Sequence, residues 1–227
     1  VYLDAIYEKI RHCNSVMSMA TLVAIGVNED GKREILGISA KLSEAEVHWR
    51  DFILSLTKRG LSGVELIISD AHEGLKAARK AVFPSVPWQR CQFHLQQNAQ
   101  RYVPRHSMKK PVAADIRAIF NAQDETEAKR LLEHFIQRYE ETAPKLASWA
   151  ESAIPEGFSV FDLPEHHRKR LRTSNVLERV NKEIKRRTRV ATLFPNEASC
   201  LRLVTAVLME ISDEWETRRI YLTMDEK

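Results

Sequence analysis

Three carboxylates in the 227-residue chain stand where a charge needs a reason. Asp4 lies inside the apolar, β-prone segment Val1 to Tyr7, between Leu3 and Ala5. Asp is disfavoured in mid-strand, and a charge there needs a partner or a metal. Asp70 follows the apolar run Val64 to Ile68 and Ser69, at the carboxyl edge where open α/β sheets place ligands. Glu178 belongs to a helical stretch whose Asn175, Asn181 and Lys185 lie on or near one polar face, opposite a stripe of Leu177, Val180 and Ile184. Three converging carboxylates can bind two hard divalent cations through oxygen, one activating a water or a 3′-hydroxyl and the other stabilising the leaving oxygen of a phosphodiester. Each residue also has a plainer reading. Asp70-x-x-Glu73 has the form of a capping box, Glu178 fits a partner of Asn175 or a surface ion pair, and Asp4 fits a paired sheet carboxylate. Spacing alone does not make the three meet.

Charge supplies the second signal. The formal charge is only +4, yet residues 166–190 hold ten Lys/Arg against two Glu, while residues 113–163 hold ten acids against five bases. A helix this basic lacks the acidic neighbours that would stabilise it in water, and an external polyanion relieves the repulsion while releasing counterions. Nucleic acid is the expected partner, with Arg172, Arg179, Lys182, Lys185, Arg186, Arg187 and Arg189 as the candidate phosphate contacts. Cys91-Gln-Phe-His94 has half the spacing of a zinc site, but no other Cys/His pair completes it, and a buried thiol near a polar His is the reading that needs no further ligand. His72, two residues after Asp70, is a candidate for phosphate or substrate contact. Phosphate-binding loop, dinucleotide fingerprint and nucleophile-elbow motifs are all missing from the sequence.

The elements that must position these residues follow from pattern. Val1–Tyr7, Met17–Val27 and Arg33–Ala40 read as strands, the last two joined at Asn28-Glu-Asp-Gly31 as a hairpin. Ser43 with Glu46 reads as the capped start of a helix ending at Arg59-Gly60. Val64–Ile68 reads as a short buried strand, followed by a helix to Val82, a strand near Trp88–Phe93 and a helix from Leu95 to Tyr102. Helix-prone sequence fills 113–153, and two more helices are expected over Ser174–Val190 and Glu197–Tyr221. An antiparallel hairpin beside parallel strands joined by crossovers gives an α/β sheet with a helical insertion. With 44% hydrophobic residues, 7 Gly and 8 Pro, disorder is not expected. The longest apolar-rich stretch, Val16–Val27, is too short to span a bilayer, so no membrane is implied. Three scattered cysteines and no signal segment suggest a reducing compartment, the cytosol by default.

Four ordered motifs carry a resemblance. They are Leu3-Asp4-Ala5, the run Ser69-Asp70-Ala71-His72-Glu73-Gly74, the run Trp88-Gln89-Arg90-Cys91-Gln92-Phe93-His94, and Thr173-Ser174-Asn175-Val176-Leu177-Glu178-Arg179-Val180-Asn181 continuing to Lys185-Arg186-Arg187-Thr188-Arg189. Together they resemble the Mutator-type family of bacterial insertion-sequence transposases over essentially the whole chain. The resemblance implies an RNase H-like catalytic domain, with a core at 1–105 and 166–227 interrupted by a helical insertion at 106–165. It implies that Asp4, Asp70 and Glu178 form a DDE triad holding Mg²⁺, for which Mn²⁺ can substitute. Cys91 and His94 match a family signature whose role the residues do not reveal. DNA, as element ends and target, is the implied partner, along with a homodimer that handles two ends in a bacterial cytoplasm near the nucleoid. Family members carry an N-terminal DNA-binding region before the first Asp. Only three residues precede Asp4, so the chain is expected to be a fragment without that region. Three other expectations compete: a non-catalytic nucleic-acid-binding module derived from a transposase, a plain RNase H-like nuclease, and a zinc-stabilised interaction domain.

Overall fold

The computed structural model describes residues 1–217 and 220–224. In chain order the first elements are β1 (Tyr2–His12), β2 (Ser15–Val27), β3 (Arg33–Lys41), α1 (Glu46–Lys58), β4 (Ile67–Ser69) and α2 (Glu73–Val82). Next come β5 (Trp88–Arg90), α3 (Gln92–Ala99), α4 (Lys109–Phe120), α5 (Glu125–Tyr139), α6 (Pro144–Ala153) and α7 (Glu165–Leu171). Helices α8 (Asn175–Thr188) and α9 (Glu197–Thr217) end the described order. The last helix is expected to reach Tyr221; residues 218 and 219 lie outside the described residues, and 220 and 221 are not helical. The elements form two compact units, one of residues 1–87 with 175–227 and the other of residues 88–174.

In the first unit the strands run in the order β3-β2-β1-β4. β2 is the central strand, buried without interruption from Met19 to Gly26, which is why it reads as a continuous apolar run and does not alternate. It pairs antiparallel with β3, as expected, and also with β1 along its whole length, from Tyr2↔Ile25 to His12↔Ser15. The second hairpin was not legible because Glu8, Lys9, Arg11 and His12 make the end of β1 look like solvent-facing chain. Its turn is Cys13-Asn14, both at positive φ (46° and 60°), the backbone that matches strand twist in a two-residue connection. β4 pairs with β1 in parallel, Tyr2↔Ile68 and Leu3↔Ser69.

Alternation along β1 sends its side chains to two faces. Tyr7 faces one of them, where its hydroxyl donates to Glu44 at the entry to α1 (2.8 Å). On that side α1 buries Trp49, Phe52, Ile53 and Leu56, and it packs against α2. Gly74 in the first turn of α2 allows the close approach, since a Cβ there would collide with the backbone of Glu44 and Glu46. The expected Ser43 cap is not formed. Ala45 occupies the cap position, and the Ser43 hydroxyl accepts from the Ala45 N–H (3.4 Å). The other face of β1 carries Asp4 and Glu8 and receives α8, whose Val176, Leu177, Val180 and Ile184 are buried, together with α9. The loop between α8 and α9 adds to the end of β1 through Phe194, which donates to Lys9 O and accepts from Arg11 N–H.

The second unit has its own core, built around Leu95, Ile116, Phe120, Leu132, Phe135 and Leu146. Asp124 caps α5 by accepting from the Glu127 N–H (2.8 Å), and Pro144 opens α6, where its missing N–H costs nothing. The buried Gln89 amide ties β5 to the segment before α7, donating to Gly157 O and accepting from Val160 N–H. Among the described residues no helix is long and apolar enough to cross a membrane.

Candidate active site

Asp4 and Asp70 are neighbours by strand register. The parallel ladder ends at Leu3↔Ser69, and carrying it one residue further sets Asp70 beside Asp4. Both are half-buried. Asp70 does not cap α2: His72 holds that position, and Asp70 Oδ1 accepts from Ala71 N–H (2.8 Å) in the loop itself. The capping-box reading of Asp70 is therefore replaced by a carboxylate at a sheet edge. Asp4 Oδ1 accepts from Ala5 N–H (2.9 Å) and Oδ2 accepts from the Asn181 amide of α8 (2.7 Å).

That last bond fixes which side of α8 faces the sheet. One turn further on, Lys185 pairs with the buried Glu8 (3.0 Å) and also donates to Tyr7 O, and Thr188 Oγ1 donates to Glu8 Oε1 (3.1 Å). Asn181, Lys185 and Thr188 thus run along β1 in step with Asp4 and Glu8. Glu178 precedes Asn181 by one helical turn on the same side of α8 and is half-buried. Asn175, at the start of α8, is exposed. Asn181 carries a further feature: its Oδ1 is buried and has no hydrogen-bond partner among the described residues. Glu8 and Thr188 were not singled out from sequence. The signal was present, since Asp4 and Glu8 share one face of a strand, but it is visible only once β1 extends past Tyr7.

The cations on and just beyond α8, Lys185 apart, divide into two sets. Arg186 and Arg187 are paired with Glu183 (2.5 and 3.1 Å), and Arg187 also pairs with Glu210 (2.9 Å). These hydrogen bonds, from Arg186 first and then Arg187, pull the Glu183 carboxyl down to about 2. Arg179, Lys182 and Arg189 are exposed and make no ion pair among the described residues. The expectation that this segment lacks acidic partners therefore holds for part of it only. The His72 Nδ1 lies 3.8 Å from Glu44.

Arg172, Cys91 and His94 belong to the second unit. The Arg172 guanidinium donates to Asn121 Oδ1 (2.7 Å). Cys91 is fully buried, and its sulfur accepts from both the N–H and the hydroxyl of Ser174 (3.3 and 3.2 Å). Burial pushes the thiol up, but the hydrogen bonds from His94 and Ser174 and the His94 charge outweigh it, leaving the Cys91 thiol below its ordinary value.

A profile of the family described as "Transposase, Mutator family" matches residues 1–218. The chain is 57% identical over 225 residues to the transposase for insertion sequence element IS406 of Burkholderia multivorans, covering 99% of this chain and 58% of that protein. It is 42% identical to the transposase for ISRM5 of Rhizobium meliloti, with 99% and 56% covered. It is also 37% identical to the transposase for IS256 in transposon Tn4001 of Staphylococcus aureus, with 98% and 57% covered. The chain therefore spans a little over half the length of these relatives.

Proposed function

Because the chain belongs to the Mutator family of transposases, we propose that its first unit is the RNase H-like catalytic core of a DNA transposase, cleaving strands at element ends and joining the freed 3′ ends to target DNA. In this reading Asp4, Asp70 and Glu178 are the DDE triad, and the segment between the second Asp and the Glu is a helical insertion. The observation that carries it is the register that sets Asp70 beside Asp4, together with the Asn181 bond that turns the Glu178 side of α8 toward them.

The donor set suits a hard divalent cation. All three triad groups offer carboxylate oxygen, the donor that Mg²⁺ and Mn²⁺ take, and the buried Oδ1 of Asn181, without a hydrogen-bond partner among the described residues, adds a neutral oxygen on the side chain that holds Asp4. Asp4 would hold both ions, with Asp70 holding one and Glu178 the other. Bound there, the ions would supply Lewis acidity to a water or 3′-hydroxyl and to the leaving oxygen. The chain's own residues do the positioning. The Ala5 N–H and the Asn181 amide fix the two oxygens of Asp4, and Lys185 and Thr188 lock α8 to Glu8, so Glu178 is carried on a helix with little freedom to shift. Arg179, Lys182 and Arg189 would hold the phosphate backbone without reading sequence. A homodimer handling two ends follows from the same reading, as does work in the bacterial cytoplasm.

The direct test is Mg²⁺-dependent cleavage and strand transfer on element-end DNA by the full-length protein carrying Asp4→Asn, Asp70→Asn or Glu178→Gln. Each should cut activity by about 10²- to 10³-fold, the scale on which a preorganised electrostatic group is felt, while the melting temperature holds. Undiminished activity in any one variant removes that residue from the triad. Hydrolysis without joining in the wild type would make the protein a nuclease.

A further inference from the structure

Residues 113–163 of the second unit are acidic overall, yet the stretch that precedes them is the reverse. Residues 101–114 contain four Lys/Arg and not one Asp or Glu, and Arg117 follows on the next turn of α4. Arg101, Arg105, Lys109, Lys110 and Arg117 are all exposed. Lys109, Lys110 and Arg117 line one recess on α4, and the 3-10 turns that carry Arg101 and lead out of Arg105 pack on the same helix.

Several other cations of this unit are matched. Lys129 pairs with Glu125, Arg130 with Glu127, Arg138 with Asp115, and Arg90 with Glu156. The five cations of this face make no ion pair among the described residues. Two of them also sit where a helix disfavours them. Lys109 and Lys110 occupy the first turn of α4, which has no acid, so they lie at the positive end of the helix dipole. Helix α5 shows the usual arrangement, with Glu125 and Glu127 in its first turn. Unmatched like charges placed against a helix dipole cost stability, and an external polyanion removes that cost.

We propose that this face of the second unit is a binding surface for the phosphate backbone of duplex DNA, separate from the cations of α8 and without base readout. The face is a spread of exposed cations, which hold phosphate whatever the sequence, so its contribution is to affinity and placement. The inference rests on the reading of the protein as a DNA transposase. It also revises what net charge implies for this segment: the acids of 113–163 lie on α4, α5, α6 and the turns that follow, and do not neutralise the run that precedes them.

The test is fluorescence anisotropy of an arbitrary-sequence DNA duplex against the full chain, over a range of salt, for the wild type and for R101Q/R105Q/K109Q/K110Q/R117Q. Each cation on a phosphate contributes about 0.9 to the slope of log K against log salt, so the variant's slope should be shallower by about two to four. The charge-preserving variant K109R/K110R should keep the wild-type slope. All five side chains are exposed and the apolar stripe of α4 is untouched, so the melting temperature of the Gln variant should hold or rise. A wild-type slope in the Gln variant overturns the proposal and leaves the catalytic reading standing. A wild type that binds no duplex at low salt overturns both. A variant that keeps the slope but loses self-association would make the face a contact between copies, and that too overturns it.

Discussion

At the scale of single residues, Asn181 decides how Asp4 is presented. Its amide N–H₂ holds one oxygen of Asp4, while its own carbonyl oxygen is buried without a partner among the described residues. Such an oxygen costs on the order of 1–3 kcal/mol unless something satisfies it, and beside a carboxylate a cation does so best. Asn181→Leu removes both the orienting bond and the spare oxygen. Outer ligands of this kind change metal affinity by about 10- to 100-fold. The expected result is a Mg²⁺ dissociation constant raised by at least about tenfold in calorimetric titration, with the thermal melt retained. Equal Mg²⁺ affinity in the two proteins would reduce Asn181 to a packing residue. The sequence placed Asn181 on the polar face of its helix beside Glu178, but not against Asp4. A contact across 177 positions has no local signature.

Helix α8 is the element on which the proposed site depends, because it carries Glu178 and is pinned to β1 at three points. Glu8 is the anchor: buried in the sheet, it accepts from Lys185 and Thr188. Glu8→Ala leaves Lys185 without its ion pair and Thr188 with only the long bond to the Lys185 carbonyl (3.5 Å). Lys185 is half exposed, so solvent relieves much of the loss, and we expect about 1–2 kcal/mol of destabilisation in chemical denaturation. Cleavage should fall further than stability alone explains, since Glu178 rides on the loosened helix. Unchanged stability would mean that the apolar stripe of α8 fixes the helix by itself. The apolar stripe was legible from its spacing, and so were the approximate bounds of α8, read as Ser174–Val190 and found at Asn175–Thr188. The far half of β1 was not. Its charged residues read as loop, and they become strand because β2 pairs with them all the way to Ser15 and α8 supplies Glu8 with donors.

For the molecule as a whole, charge is divided by pairing as much as by count. Of the α8 cations, Arg186 and Arg187 are already matched by Glu183 and Glu210, whereas Arg179, Lys182 and Arg189 carry no ion pair among the described residues. In DNA binding, R179Q/K182Q/R189Q should therefore flatten the salt slope by about two, and R186Q/R187Q by clearly less. Equal effects from the two sets would show that the intramolecular pairs open on DNA and that pairing in the free chain says nothing about grip. The compact units break at 87/88 and 174/175, whereas the family resemblance implies boundaries at 105/106 and 165/166. The difference lies in residues 88–105 and 166–174. Their composition suits either unit, but Gln89, Leu95 and Arg172 bond or pack within the second.

Sequence by itself determined the residue types and local periods: an Asp in a strand, an Asp at a strand end, a Glu in a basic helix, and the ordered motifs that identify the family. These are local properties, set by side-chain chemistry and by repeats of two or 3.6 residues. Tertiary structure decided the rest. It set Asp70 level with Asp4 through strand register, turned Asn181 onto Asp4, neutralised part of the basic helix and left the Arg101–Arg117 face unmatched. Each of these depends on which distant segments pack together, and that is fixed by the burial of the whole core and not by any window of the chain.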